Sequence, residues 1–434
     1  MTPGTPGIQV LEPGLQTTVQ DLGRHGRQDL GVSPAGAADP AALILGNRLV
    51  GNPIDAAGLE VTLVGPALRF DVDAWVAVTG ADLGAVLDRH PLPPGTAVPV
   101  RAGQVLRFRG GTRGCRAYVC VAGGIDVPPV LGSRSTDLVG RLGGPDGQGR
   151  PLRAGDRLAV GAGGFRGPDT VVRQARWRFV PDRFVARVVV GPHRDHFSAG
   201  ALETFFGSEY TVTPASDRTG LRLSGPAVPR AAGEILSEGQ ALGAVQIPPD
   251  GQPIVLLAGR ATVGGYPKLG VVITPDVALL GQARPGDTIR FAPIDPAEAV
   301  AVYRDWWRQL MSGEVVVERD AAVRSPLDGT FYSRPYRGAA PFVRPGDPVE
   351  PGTVVGVVEV MQTFFDVRAG FAGTVGNLRV ADGERVAAGQ VLMTMVPAGA
   401  SGPAGPRPPG SGSTPGWWPG RPPGPPAGPG PRGG

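Results

Sequence analysis

Along most of the chain, apolar residues come in short runs of four to eight, broken by glycine and proline, which is the pattern of strands joined by tight turns. Val61 to Phe70 and Ala74 to Val78 read as two strands joined by the Asp-Val-Asp turn. Three stretches repeat one grammar, a glycine turn opening onto an alternating strand: Arg-Ala-Gly-Gln-Val-Leu-Arg-Phe at 101–108, Arg-Ala-Gly-Asp-Arg-Leu-Ala-Val at 153–160 and Arg-Pro-Gly-Asp-Thr-Ile-Arg-Phe at 284–291. Shared turn chemistry accounts for the likeness, and so does descent of two related β-barrel units. Helical spacing is rare. Ala42, Leu45 and Leu49 predict a short helix over Pro40 to Val50, with Asp39 as its cap and Pro40 in the first turn. A longer helix is expected from Ala297 to Met311, capped by Asp295 and started by Pro296, and it is read as closing the second unit.

The expected fold is therefore mainly β, in four parts. The first barrel unit covers 8–175 and the second, with its closing helix, 176–312. A small two-fold β-sandwich covers 318–397, since Arg344 and Ala381 each begin a turn, a short strand, a glycine turn and a hydrophobic strand. The tail 398–434 is so rich in Pro, Gly and Ser that it is expected to stay disordered, with Trp417 and Trp418 within it.

Composition narrows the function classes. The formal net charge is +4, yet the arginines are scattered singly and Lys268 is the only lysine, so no basic stripe for nucleic acid is present. Cys115 and Cys120 stand five residues apart, so on a strand they face opposite sides and read as buried thiols. The four histidines (His25, His90, His193, His196) lack ligand spacing, so no metal site is expected. The first residues have no basic start or apolar core, and no apolar run approaches about 18 residues, so a cytoplasmic protein without a membrane span is expected.

Several polar residues suit a small, planar, polar substrate. Arg24 and Arg48 can hold a carboxylate or phosphate in two-pronged fashion. Asp21 and Asp39 can accept a proton or orient an amide N–H. Gln20, Asn47 and Asn52 offer paired donors and acceptors. Each has a structural explanation beside the functional one: Asp39 as helix cap, Asn52 as a turn residue before Pro53, Arg48 as a solvated face. Asp21 has the fewest, so the catalytic set is taken as Asp21, Arg24 and Asp39. Further on, Asp217 and Arg218 are a turn pair or a binding pair, and Glu238 serves a loop or a ligand. Tyr266 and Lys268 follow Gly264 and Gly265, where backbone can approach a ligand closely. With Gln20, Asn47, Arg48 and Asn52, these five form the expected substrate-binding set.

The segments Thr17–Arg24, Gly36–Pro40, Gly46–Asn52, Gly123–Ser135, Ser216–Arg218, Ser237–Gly239 and Gly264–Lys268 together resemble one family. It is the family of the 5-oxoprolinase C subunit, also called allophanate hydrolase subunit 2 or biotin-dependent carboxyltransferase-like. The resemblance implies two cyclophilin-like β-barrel units and partners that are the A-type and B-type subunits of a 5-oxoprolinase. It further implies ATP-dependent opening of 5-oxoproline to glutamate, with ATP handled elsewhere in the assembly, since no phosphate loop is visible here. The carboxyltransferase half of a urea-type carboxylase is one alternative. A regulatory binder of a kinase inhibitor that is itself similar to the B-type subunit is the other. One departure is Gly259-Arg-Ala-Thr-Val-Gly-Gly-Tyr266, where the family commonly reads Asp-Arg-Gln-Thr-Thr-Gly-Gly-Tyr.

The third unit resembles the biotin carrier domain of acetyl-CoA carboxylase through Ser325–Tyr332, Pro341–Asp347 and Glu359–Val367. That domain carries a lysine between two methionines; here Met361 is kept, but Gln362 and Thr363 follow. Biotin attachment needs an amine nucleophile, and the delocalised lone pair of a carboxamide does not serve. The chain is therefore expected to carry no biotin. Co-expression with a biotin ligase should give no streptavidin-reactive band, and such a band would overturn this reading.

Overall fold

The computed structural model describes residues 7–111, 113–164, 171–175, 177, 179–231, 235–312, 315–319, 322–336, 338–350, 352–361, 363–369, 373–388 and 390–397. Gln362 and the tail with Trp417 and Trp418 lie outside the described residues.

The first unit is two sheets face to face. One has six strands, in the order Arg157–Ala159, Gly7–Glu12, Ala67–Phe70, Val105–Phe108, Ala85–Leu87, His90–Pro91. The other has seven: Gln16–Gln20, Gly58–Thr62, Arg113–Val121, Ala74–Asp82, Thr96–Val100, Val171–Ala175, Val315–Arg319. Alternating residues such as Val10, Val61, Phe70, Val78 and Val119 fill the space between them. The expected strand Val61 to Phe70 is in fact two. Gly58–Thr62 belongs to the seven-stranded sheet and Ala67–Phe70 to the six-stranded one. Leu63, at a φ of 55°, turns the chain between them. Ala74–Asp82 likewise pairs with Arg113–Val121 and Thr96–Val100, not with the strand just before it. The three repeated turns are real local structures, each placing a left-handed glycine (Gly103, Gly155, Gly286) just ahead of a strand.

The second unit is a closed seven-stranded barrel in the order Phe184–Val190, Lys268–Val272, Ala244–Gln246, Ile254–Leu256, Gly220–Ser224, Glu209–Val212, Thr288–Pro293, closed by a parallel pairing of first and last. Two helices that the sequence pattern did not reveal, Ala199–Gly207 and Thr274–Leu280, pack on it. Both are under ten residues, too short for a clear helical period.

The helix Pro40–Leu49 forms as expected, and the Asp39 carboxylate accepts from the Ala42 N–H at 3.1 Å. It is buried on nearly all sides, so its composition reflects a core position and not an amphipathic one. The long helix runs Pro296–Ser312. Its Trp306, Trp307 and Leu310 join the core around Leu45, Leu49 and Tyr118, and Arg48 donates to the Leu310 carbonyl at 2.5 Å. It thus packs against the Pro40–Leu49 helix of the first unit and also against the Thr274–Leu280 helix of the second. Its apolar face found the uncovered side of the Pro40–Leu49 helix.

The third unit is two four-stranded sheets enclosing Phe331, Val355, Val358, Val375, Leu392 and Met393. The two mirrored patterns map onto it: Pro348–Val349 with Val354–Val360, and Glu384–Val386 with Val391–Pro397, each pair split between the two sheets. Val360 pairs with Thr363 across a hairpin whose Met361 is 95% exposed at a φ of 48°.

Units one and two meet across a buried polar assembly. Glu60 is 1% exposed, and its carboxylate takes the Arg218 guanidinium, the Tyr118 hydroxyl at 2.8 Å and the Ala38 N–H at 2.9 Å. The Arg116 Nε lies 3.5 Å from it. Gln282 donates to Asp39 at 2.8 Å and to the Arg116 carbonyl at 3.0 Å, while its oxygen accepts from the Cys115 and Arg116 N–H groups. Burial pushes the Glu60 carboxyl up, but Arg218 and Arg116 outweigh it and hold it below its ordinary value. Among the described residues no cation offsets the burial of Asp39, which raises it to about 6.

The two carboxylates give opposite pH slopes. Asp39 binds its proton more tightly when folded, so its contribution is fully present below 3.8 and is lost as pH rises toward 6. Glu60 acts the other way, and its loss falls below about 4.5. Denaturant titrations from pH 4.5 to 6.5 should therefore show stability falling with pH, and Asp39→Asn should flatten that slope.

Candidate active site

Sequence reasoning expected Asp21, Arg24 and Asp39 to converge on a substrate. The structure gives them separate duties. The Asp21 carboxylate accepts from Ser133 Oγ (2.6 Å), Ser135 Oγ (2.5 Å), the Arg134 N–H (2.6 Å) and the Gly23 N–H (2.8 Å). Three of these donors tie the 133–135 segment to the end of the strand Gln16–Gln20, and the Gly23 N–H closes a local turn. Arg24, 1% exposed, donates to the carbonyls of Ser135 and Val130. Its pKa falls through burial, with Asp137 and Asp21 opposing the shift. Gln20 donates to Thr18 Oγ1 and the Thr136 carbonyl. Asp39 belongs to the unit junction, 243 residues in sequence from its partner Gln282.

The rest of the first unit's set is also engaged in backbone. Asn47 donates to the carbonyls of Ile54 and Ala56, and Asn52 donates to Asn47 and to the Val121 carbonyl. Arg48, partly exposed, clasps the long helix through the Leu310 carbonyl. In the second unit, Asp217 accepts from the N–H groups of Thr219 and Gly220, a turn, while Arg218 neutralises Glu60. These hydrogen bonds take up much of the set's polar capacity, while Asp217, which is exposed, and Arg218 also line a cavity with Thr136, Asp137 and Gly259.

Glu238 and Lys268 remain, and the structure brings a third residue to them. The strand Phe184–Val190 pairs with Lys268–Val272 and continues so that the Gly191 N–H reaches the Leu269 carbonyl at 2.9 Å. That sets the His193 ring beside the Lys268 backbone, whose N–H donates to His193 Nδ1 at 3.1 Å. In the neutral ring the proton then sits on Nε2, which lies 3.2 Å from the Glu238 carboxylate. Glu238 lies on the short strand Glu238–Gly239, paired with Val263–Gly264. The Lys268 ammonium contacts the Glu238 carboxylate and donates to the Gly239 carbonyl at 3.2 Å. Lys268's side chain is 5% exposed and Glu238's is 43% exposed, so the carboxylate opens outward from a buried cation. The hydrogen bond from Lys268 leads the effects holding Glu238 below its ordinary value.

Glutamines back this cluster. Gln240 donates to the Glu238 and Gly264 carbonyls and accepts from Gln246 at 3.2 Å. A Cβ on Gly264 would sit 2.6 Å from Gln240 Nε2, so a larger residue there would displace the Gln240 amide. Tyr266, 37% exposed, follows two residues later. His193 and Gln240 escaped the sequence reading because His193 lies 75 residues from Lys268 and no local motif joins them.

Two β units followed by a biotinyl-type sandwich, with one polar cluster opening from the second, define a carboxyltransferase-type protein. The family model described as "Carboxyltransferase domain, subdomain A and B" matches residues 30–293, and that of "Biotin-requiring enzyme" matches 321–395. The chain belongs to the carboxyltransferase subdomain A and B family and carries a biotinyl-like domain behind it. It is 39% identical over 303 residues to the C subunit of 5-oxoprolinase from Escherichia coli (strain K12), covering 69% of this chain and 96% of that protein. The biotin carboxyl carrier protein of acetyl-CoA carboxylase from Chlamydia muridarum is 44% identical over 82 residues, or 19% of this chain and 50% of that protein. The crystal structure of the Kluyveromyces lactis urea carboxylase superposes with a TM-score of 0.65 at 27% identity, covering 87% of this chain and 34% of that one. Among the described residues no helix is long and apolar enough to cross a membrane.

Asp21 in its structural role gives a sharp expectation. Asp21→Ala removes four hydrogen bonds to a carboxylate acceptor and should lower folding stability by about 2–4 kcal/mol in urea titrations. The specific activity of the folded fraction should change little.

Proposed function

We propose that the chain is the C-type component of an ATP-dependent 5-oxoprolinase, opening 5-oxoproline to glutamate with A-type and B-type subunits. The observation that carries the reading is the Glu238–Lys268–His193 cluster, in a chain that matches a C-type 5-oxoprolinase component over 96% of that protein's length. ATP is used by the assembly and not by a motif of this chain. A lactam offers an N–H donor and a carbonyl acceptor side by side. Glu238 accepts the N–H, and Lys268 donates to the carbonyl oxygen as negative charge develops on it. His193 Nε2 lies 3.2 Å from Glu238, close enough to keep the carboxylate in place when Lys268 turns to the substrate.

A second reading, the carboxyltransferase component of a urea-type carboxylase, is favoured by the biotinyl-like unit on the same chain. With Gln362 in the lysine position, it needs a biotin carrier in trans.

Co-purification with the host's A- and B-type subunits, followed by ATP-dependent glutamate release from 5-oxoproline, tests the proposal. Lys268→Met and Glu238→Gln should each cut turnover by about a hundredfold or more while the assembly still forms. A stable assembly that releases no glutamate but carboxylates urea when given a biotinylated carrier and biotin carboxylase would move the assignment to the second reading.

A further inference from the structure

One buried charge near this cluster has no counter-charge. Arg260 is 7% exposed, yet its Nε donates only to the Gln240 carbonyl, at 3.1 Å, and among the described residues no carboxylate pairs with it. The buried guanidiniums of Arg116, Arg218 and Arg24 differ, because each has an acid close by: Arg116 and Arg218 share Glu60, and Arg24 lies near Asp137 and Asp21. Burial lowers Arg260 to about 10, so it remains a cation at neutral pH. A buried cation with one neutral acceptor is costly unless an anion joins it.

Its position says where that anion would come from. The Gln240 carbonyl that Arg260 holds is one residue along from the Gly239 carbonyl held by Lys268. The side chain of Gln240 in turn reaches the Glu238 carbonyl. From the first unit, Ser33 Oγ donates to the Arg260 carbonyl at 3.1 Å and Gln28 Nε2 approaches the Gln240 carbonyl at 3.5 Å. Arg260 thus lies where the first unit's 28–33 segment meets the second unit's polar cluster. Within that cluster Glu238 offsets Lys268, and the positive charge left over is Arg260's.

We infer that Arg260 is the anion subsite of the candidate active site and takes the carboxylate of the substrate, so the site selects an anionic amide over a neutral one. A guanidinium presents parallel N–H donors that match a carboxylate. The inference rests on the 5-oxoprolinase reading for the amide, but the anion preference stands on Arg260 alone.

Calorimetry on the purified full-length chain uses three probes: 5-oxoproline, 2-pyrrolidinone (the same lactam without a carboxylate) and succinate (carboxylates without a lactam). 5-Oxoproline should bind at least about tenfold more tightly than 2-pyrrolidinone. Arg260→Met should weaken 5-oxoproline and succinate by about tenfold to a hundredfold and leave 2-pyrrolidinone unchanged, with Arg260→Lys in between. Equal affinity for the two lactams overturns the inference, as does unchanged carboxylate binding in Arg260→Met or no binding of any probe. If circular dichroism shows that Arg260→Met does not fold, the comparison of lactams on the unaltered chain decides. Carboxylate binding that depends on Arg260, in a chain whose assembly releases no glutamate, keeps the subsite and removes the 5-oxoprolinase reading. Glutamate release with an unchanged KM in Arg260→Met does the reverse.

Discussion

The Glu60 carboxylate, buried between Arg218 of the second unit and Arg116 of its own, is the contact on which the arrangement of the two β units depends. A fully buried carboxylate is tolerable only when its desolvation is offset by cations and hydrogen-bond donors, and Glu60 has both. Neither unit satisfies it alone: Tyr118 and Ala38 come from the first and Arg218 from the second. Removing either unit would strand a charge in a dry interior. The geometry is specified by electrostatics as much as by apolar packing, because ion pairs demand fixed distances where methyl groups do not.

That junction also explains the location of the candidate site. Arg218 and Gln282 hold the first unit at a set position on the barrel, and the 28–33 segment is thereby laid against Gln240 and Arg260. Glu238, Lys268 and His193 belong wholly to the second unit, yet the neighbouring wall is supplied by the first. Around Asp21 many donors and acceptors are taken up by backbone and by Ser133 and Ser135, while Gln20 Oε1, Arg24 Nη1, Thr136 Oγ1 and Asp137 Oδ2 are buried without a hydrogen-bond partner.

The third unit shows the same division. Its two-fold sandwich is intact, with Phe331, Val358 and Leu392 in the core, and its hairpin presents Met361, Phe364 and Phe365 to solvent. The sequence departs from the carrier pattern at two adjacent positions, Gln362 and Thr363, while the packing that shapes the domain is present.

Strand and turn content, the helix behind Asp39 and Pro40, the mirrored halves of the sandwich and the lack of an acceptor lysine were all legible in the sequence. They depend on φ preferences, on a period of two, or on one functional group, and each of these is a property of nearby residues. Tertiary structure alone decided that Val61 to Phe70 divides between two sheets and that the long helix lies against helices of both units. It likewise decided which partners Asp21 and Asp39 hold, that His193 lies beside Glu238 and Lys268, and that Arg260 reaches the Gln240 carbonyl. These outcomes turn on which buried polar group finds which partner across 75 to 243 residues of chain. A motif gives the kind of side chain available, but its duty is set by whatever the fold places within about three ångströms of it.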